Sequence, residues 1–184
     1  MTYEMDIAGL KRDLPLCRLT DDLYIGAFVM FGDVELTVHC AAELLKRAPE
    51  YDYIIAPEAK AIPLLYEMAR QSGADKYFVA RKKAKAYMTG IHEVTVKSIT
   101  TEGEQKLILD SADAALIKGK RMLLVDDVIS TGESLRAMEE LVNRAGGIVA
   151  GRMAVLAEGD AQKRHDIICL APLPLFNPDG TVKE

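Results

Sequence analysis

Two adjacent aspartates, Asp126 and Asp127, follow a run of apolar residues and precede a short turn of small polar residues. Backbone N–H groups at the start of the helix predicted after this turn would converge on one point, where the helix dipole favours an anion. Gly132 allows a phosphate to approach the backbone closely, and the two carboxylates suit sugar hydroxyls or waters around Mg²⁺. The segment therefore predicts a sugar-phosphate site. Its phosphate would be held by Ser130, Thr131, Gly132, Glu133 and Ser134.

A purely structural interpretation of the same segment is a capping box, in which Ser130 caps the helix and Glu133 is its partner. Capping explains these two residues but not two acids at the end of a buried strand. Other phosphate motifs are absent from the sequence, since it has neither a Gly-x-x-x-x-Gly-Lys-Ser/Thr loop nor a Gly-x-Gly-x-x-Gly turn after a strand.

Two further segments at predicted strand ends could bind anions. Glu58, Ala59 and Lys60 follow the apolar run 53–56, and four cations stand within the five residues of 81–85. A cation cluster is commonly a solvated face. In an acidic chain, however, a local basic cluster close to a phosphate site is consistent with attraction of a negatively charged ligand to that site.

The elements that must position these residues alternate along the chain. Alternating strands and helices predict an α/β fold with a mostly parallel sheet covered on both faces, whose ligands bind beyond the carboxyl ends of the strands. On the first helix, apolar spacing predicts a buried face of Val34, Val38, Ala41, Leu45 and Ala48. The predicted buried faces of the other two helices are Leu64, Leu65, Met68 and Ala69, and Leu135, Met138, Leu141, Val142 and Ala145. The predicted strands are 53–56, 77–80, 94–99, 107–109, 121–125, 148–156 and 167–170, and the predicted helices are 34–48, 63–72 and 133–145.

Composition narrows the class of protein. The chain has 184 residues and a formal charge of −5, which fits one domain and disfavours nucleic acid as a partner. No apolar run approaches the roughly 20 residues that a bilayer requires, and no basic segment followed by an apolar stretch begins the chain. The three cysteines are far apart, so we expect a cytoplasmic, reduced protein without a membrane segment.

The segment 121–134 resembles the phosphoribosyl-pyrophosphate motif of the type I phosphoribosyltransferases, and the resemblance is closest to the purine enzymes that use adenine or xanthine. It implies a Rossmann-like, mostly parallel sheet flanked by helices, with a small hood from about 12–33 plus C-terminal residues. The core would span about 34–170, and a flexible β-hairpin loop would cover the site. Phosphoribosyl pyrophosphate and a purine base would be the small-molecule partners, in a homodimer.

The resemblance also implies a role for each candidate residue. Asp126 and Asp127 would hold the ribose hydroxyls as the catalytic pair, while Mg²⁺ would bind mainly through the substrate, with the same two acids as further candidate ligands. Lys60 stands where adenine enzymes have Arg, and Glu133 where many members have Gly. Pyrophosphate would contact Glu58, Ala59, Lys60, Arg81, Lys82, Lys83 and Lys85; the base would contact Phe28, Val29, Met30 and Glu158; the flexible loop would include Ser98, Ile99, Thr100 and Thr101.

The choice of base stays open between two groups of enzymes. The loop lacks the Glu typical of adenine enzymes and instead resembles the Ser-Phe-Thr loop of xanthine enzymes. However, Gly159 stands where 6-oxopurine enzymes usually have a Lys that donates to the 6-oxo group, which favours adenine. The alternatives are a xanthine or other 6-oxopurine enzyme, and a regulator that binds phosphoribosyl pyrophosphate without catalysis.

Overall fold

The computed structural model describes residues 1–97 and 104–183, and it confirms the predicted α/β class. A 3₁₀ turn, Gly159–Lys163, follows the ninth strand. The helices are α1 (Val34–Leu45), α2 (Ile62–Ser72), α3 (Ser111–Ile117) and α4 (Glu133–Arg144). The strands are β1 (Thr2–Ile7), β2 (Leu10–Arg18), β3 (Tyr24–Gly26), β4 (Tyr53–Pro57), β5 (Phe78–Ala80), β6 (Ile91–Lys97), β7 (Glu104–Asp110), β8 (Arg121–Ile129), β9 (Ile148–Glu158), β10 (Ile168–Leu173) and β11 (Leu175–Phe176).

Five parallel strands form the central sheet in the order β10-β9-β8-β4-β5. Successive residues of β4 face opposite sides, since Ile54 packs with α1 and α2 whereas Ile55 packs with α3 and α4. Both residues are almost fully buried. Helices on both faces of a parallel sheet explain why the central strands carry continuous apolar runs, as in residues 122–125 of β8.

The first helix begins as predicted, and Ala41 is buried as predicted, but the rest of the buried face is shifted from the predicted one. The Asp33 side chain accepts a hydrogen bond from the Leu36 N–H, which caps α1. The predicted inward position of Val34 is wrong, because its side chain is 74% exposed. The buried stripe instead runs through Leu36, Cys40 and Leu44, one position around the helix from the predicted face.

The other two long helices follow their predictions. Pro63 lies in the first turn of α2, and Gly73 ends that helix with a left-handed φ of 73°. On α4, the predicted inward residues Leu135, Met138 and Leu141 are all buried. The predicted inward residues of α2 are buried as well, so the apolar spacing indicated the correct face on both helices: Leu64, Leu65, Met68 and Ala69.

A second sheet has the strand order β1-β2-β3-β11, so it combines residues from both ends of the chain. None of its strands was predicted. Arg12 on β2 donates to the Asp33 carboxylate at 2.7 Å, which ties this sheet to the start of α1. Strands β6 and β7 form the predicted antiparallel hairpin. The predicted loop residues Ser98, Ile99, Thr100 and Thr101 lie outside the described residues.

In the part of the chain that the structure describes, no helix combines the length and apolar character needed to cross a bilayer.

Candidate functional site

The two aspartates lie inside β8 rather than beyond its end, because the strand continues to Ile129. Their relative exposures are 8% for Asp126 and 3% for Asp127. The Asp127 N–H donates to Asp126 Oδ1 at 2.9 Å, so the backbone itself fixes the first carboxylate. The strand therefore presents two buried acids at its carboxyl end.

The charge of this acid pair is only partly compensated. Burial raises the pKa of Asp126 well above its ordinary value, and the negative charge of Asp127 raises it further. Lys60 Nζ lies 3.0 Å from Asp127 Oδ2, but without the geometry of a hydrogen bond. Among the described residues, Asp127 Oδ2 is a buried oxygen that accepts no hydrogen bond, which is unusual for a buried polar atom.

The turn after β8 presents backbone N–H groups rather than a side-chain cap. Gly132 is the residue before α4, it has a φ of 78°, and no side chain caps the helix. The capping-box interpretation of Ser130 and Glu133 is therefore wrong. The closest side-chain contact is Thr131 Oγ1, which accepts from the Glu133 N–H at 3.4 Å. A small cavity of about 40 Å³ lies here, lined by Asp126, Val128, Ile129, Ser130, Thr131, Gly132, Ser134 and Leu135.

The segment after β4 is held by contacts with the basic run. Glu58 accepts from the Lys82 N–H at 2.9 Å, and Arg81 Nε lies 3.2 Å from the same carboxylate oxygen. The Lys82 amide, followed by the Arg81 side chain, lowers the pKa of Glu58. The peptide bond between Glu58 and Ala59 is cis. These contacts leave Lys60 free to extend toward Asp127.

The basic run continues from β5 and spreads its cations. Arg81 exchanges two backbone hydrogen bonds with Ile108 on β7, and its Nη1 donates to the Tyr87 hydroxyl at 3.1 Å. Lys82 lines a pocket together with Lys60. Lys83 is exposed and Lys85 half-buried, and neither lines that pocket.

This pocket brings together the three segments that the sequence singled out. Its volume is about 290 Å³. Sequence reasoning missed the apolar contribution of Leu107, because only the folded hairpin brings β7 to this edge. The lining residues are Pro57, Glu58, Ala59, Lys60, Lys82, Leu107, Asp126, Asp127, Val128 and Ser134.

The residues predicted to contact a base are more dispersed. Phe28 and Met30 are 5% and 1% exposed and pack in the core, whereas Val29 between them is 55% exposed. Glu158 is half-buried at the end of β9, where burial raises its pKa against the opposing charge of Lys60. The base-binding roles of these four residues stay a prediction.

One side chain at the turn gave no signal in the sequence. Arg164 lies beside Gly132, although 32 positions separate the two residues in the chain. It follows the 3₁₀ turn after β9, and its partner is Asp166. Only the parallel pairing of β8 and β9 brings this segment to the turn.

Comparisons with known proteins agree on one family. A family model described as phosphoribosyl transferase domain matches residues 37–172. The adenine phosphoribosyltransferase of Petrotoga mobilis is 29% identical over 152 residues, which cover 80% of this chain and 73% of that protein. The hypoxanthine/guanine phosphoribosyltransferase of Methanocella paludicola is 31% identical over 130 residues, which cover 70% and 64%.

A solved structure gives the same result at the level of the fold. The adenine phosphoribosyltransferase of Thermoanaerobacter pseudethanolicus superimposes with a TM-score of 0.65 and 26% identity, over 76% of this chain and 82% of that one. The range matched by the family model contains β4, the basic run, and β8 with its turn.

Proposed function

Because the chain belongs to the phosphoribosyltransferase family, we propose that it transfers 5-phosphoribose from phosphoribosyl pyrophosphate to N9 of a purine. Adenine is the proposed base, and AMP and pyrophosphate are the products. The observation that carries the proposal is the shared pocket, where the acid pair of β8 faces Lys60 and Lys82. Such a pocket offers acceptors to a ribose and cations to a pyrophosphate.

In the proposed reaction, the N9–C1′ bond forms while the bond from C1′ to the pyrophosphate oxygen breaks, and the imidazole proton of the purine is released to the leaving pyrophosphate or to water. Negative charge accumulates on the leaving group, and the ribose gains oxocarbenium character. Asp126 and Asp127 accept hydrogen bonds from the ribose hydroxyls, and their negative charge stabilises the developing cation. The N–H groups of 132–134 hold the 5′-phosphate at the start of α4.

Lys60 links the two halves of this chemistry. In the structure its ammonium group lies 3.0 Å from Asp127 Oδ2. A pyrophosphate bound in the same pocket would compete with Asp127 for that ammonium. We therefore assign Lys60 two roles, since it balances Asp127 before the substrate binds and stabilises the leaving group afterwards.

The residues present fit Mg²⁺ as a substrate-borne ion. Among residues 1–97 and 104–183, no group of three or more His, Cys, Asp or Glu side chains could hold a metal. Asp126 and Asp127 could add oxygen ligands to those of the pyrophosphate, since Asp127 Oδ2 has no hydrogen-bond donor among the described residues. When bound, the ion would neutralise charge on the leaving pyrophosphate.

Two further parts of the proposal concern the surroundings of the site. The sheet β1-β2-β3-β11 is the proposed hood, because it joins the N-terminal residues to the C-terminal strand β11. The assembly proposed is a homodimer, as the family resemblance implies. Val29 lies on the segment between this sheet and α1, and its exposed side chain is the proposed contact for the base.

A second candidate base is a 6-oxopurine. The relative from Methanocella paludicola is named for hypoxanthine and guanine, and at 31% its identity is slightly higher than that of the adenine enzyme from Petrotoga mobilis. Gly159 argues against this candidate, because a glycine has no side-chain donor for the 6-oxo group.

The test is a base panel with purified protein, phosphoribosyl pyrophosphate and Mg²⁺. We expect AMP from adenine, and at least about tenfold lower kcat/KM with hypoxanthine, guanine and xanthine. A preference for a 6-oxopurine would overturn the assignment of the base but not of the reaction. Binding of phosphoribosyl pyrophosphate without nucleotide formation from any of the four bases would identify a regulator instead.

A further inference from the structure

A guanidinium group fills the space beside the glycine of the phosphate turn. A Cβ atom placed on Gly132 would lie 2.6 Å from Arg164 Nη1. Gly132 is buried, although its neighbours Thr131 and Ser134 are exposed. The end of the Arg164 side chain therefore lies directly against the backbone at the start of α4.

A carboxylate fixes the orientation of this guanidinium. Arg164 Nε donates to Asp166 Oδ1 at 2.9 Å, and Nη2 donates to Asp166 Oδ2 at 2.7 Å. Two parallel hydrogen bonds hold the planar group in one plane. They occupy one edge of the guanidinium and leave Nη1, the atom next to Gly132, without a hydrogen-bond partner among the described residues.

Further charges hold Asp166 in turn. Arg152 Nε lies 3.7 Å from Asp166 Oδ2, and Arg152 also pairs with Glu139 on α4. Charges alternate along this series, from Glu139 through Arg152 and Asp166 to Arg164. The series anchors Arg164 to α4 and ends, at the turn, in a cation.

We propose that Arg164 is a further substrate-binding residue, whose free Nη1 donates to the 5′-phosphate held by the turn at 130–134. This inference rests on the proposed function and adds to it a cation that the turn does not contain. The turn carries Glu133, whose carboxylate opposes a phosphate, and Arg164 supplies the compensating positive charge. Asp166 positions that charge.

A purely structural role for Arg164 predicts a different behaviour. If the guanidinium only supports the backbone at Gly132, its loss would lower the melting temperature and weaken all ligands of the pocket together. If it binds the 5′-phosphate, its loss weakens only ligands that carry that phosphate. Ribose 5-phosphate and pyrophosphate, the two parts of the substrate, separate these roles.

The experiment measures both affinities by calorimetry on the full chain with Mg²⁺, for the wild type and for Arg164→Gln. We expect the variant to bind ribose 5-phosphate about tenfold more weakly or worse, because a charge-assisted hydrogen bond is lost. Pyrophosphate affinity should stay within about twofold of the wild-type value. In steady state, the KM for phosphoribosyl pyrophosphate should rise more than kcat falls.

Two further variants complete the test. Arg136→Gln removes the same charge from an exposed position on α4 and should leave both affinities within about twofold. Arg164→Lys keeps the charge without the fork and should give an intermediate loss, which also covers the case in which Arg164→Gln fails to fold.

The outcomes separate this inference from the function on which it rests. Equal ribose 5-phosphate affinity in the wild type and Arg164→Gln overturns the inference alone, as does an equal loss for both ligands. A wild-type protein that binds neither ligand and makes no nucleotide overturns the proposed function, and the inference with it.

Discussion

The molecule buries carboxylates in two regions, with opposite consequences for their charge. On α2, Glu67 is 7% exposed and accepts hydrogen bonds from Arg70 Nε at 2.9 Å and Arg70 Nη2 at 2.7 Å, with a third from Gln71. The Arg70 contact, followed by that of Gln71, lowers the pKa of Glu67 to about 2. On β8, burial and a neighbouring carboxylate raise the pKa of Asp126 instead.

The difference separates a carboxylate that stabilises the fold from one that is reserved for a ligand. Among the described residues, every donor to Glu67 comes from its own helix, so its carboxylate is fully paired without a substrate. The acid pair of β8 has one ion pair, to Lys60, and an oxygen of Asp127 that accepts no hydrogen bond in the described part of the chain. Burying an incompletely paired charge opposes folding, so we interpret the acid pair as a binding site.

The largest expected effect comes from neutralising the acid pair. The double variant Asp126→Asn and Asp127→Asn should lower kcat/KM by at least about a thousandfold, because both negative charges facing the oxocarbenium charge are lost. The melting temperature should stay equal or rise, since burying a neutral amide costs less free energy than burying one of these charges. Steady-state assays and calorimetric melting measure the two effects.

The matched control is the adjacent pair Asp21 and Asp22, whose side chains are 91% and 84% exposed. Replacing both by Asn should change neither activity nor melting temperature appreciably. If the acid pair of β8 can be replaced with activity retained, its assignment as a ligand site is wrong.

A smaller loss is expected when Lys60, the cation paired with Asp127, is removed. Lys60→Met should lower kcat/KM about a hundredfold, because the leaving group loses a cation and Asp127 loses its partner. Lys60→Arg restores the charge and should recover most of the activity. Lys46→Met is the control, because Lys46 is exposed at the C-terminal end of α1, and this variant should behave as the wild type. Equal kcat/KM for Lys60→Met and the wild type would show that Lys60 takes no part in the reaction.

A change in the turn tests whether the binding region depends on backbone geometry. Gly132→Val should weaken phosphoribosyl pyrophosphate binding by about tenfold or more, since its φ of 78° disfavours a side chain and Arg164 occupies the space. Gly119→Val is the matched control, because Gly119 has a φ of 73° and nothing within 4 Å of its Cβ position. Both variants should melt earlier, but calorimetry should show weaker binding only for Gly132→Val.

How much of the site could be predicted depended on distance along the chain. The acid pair and its turn are contiguous, so their chemistry could be predicted from neighbouring residues. The contacts of Glu58 with Lys82, of Lys60 with Asp127 and of Gly132 with Arg164 join residues 24, 67 and 32 positions apart. No local pattern encodes such contacts, because the order of the strands in the sheet brings them about.

The same distinction holds for the fold. Apolar spacing indicated the central strands and the buried faces of α2 and α4, because one face of each packs on a single sheet. On α1 the pattern was ambiguous, since both Val34 and Leu36 begin an apolar series, and only the packing of Leu36 into the core decides between them. Strands β1 and β2 were missed because charged residues interrupt their apolar ones, as in Lys11-Arg12-Asp13.

The smallest expected effect tests the structural side of the comparison. Glu67→Gln should lower the free energy of unfolding at neutral pH by about 1 kcal/mol, a shift of roughly 2–4 °C in melting temperature. The value is modest because Arg70 is 57% exposed and solvent screens the pair.

Since the folded-state pKa of Glu67 is lowered, the stabilisation is complete above the ordinary value of 4.5 and disappears as the pH falls toward 2. Wild type and variant should therefore converge in acid, while kcat/KM stays unchanged at neutral pH. Glu43→Gln, which breaks a more exposed pair on α1, should leave the melting temperature nearly unchanged. If Glu67→Gln lowers activity but not stability, then burial with full pairing does not distinguish the structural carboxylate from the functional ones.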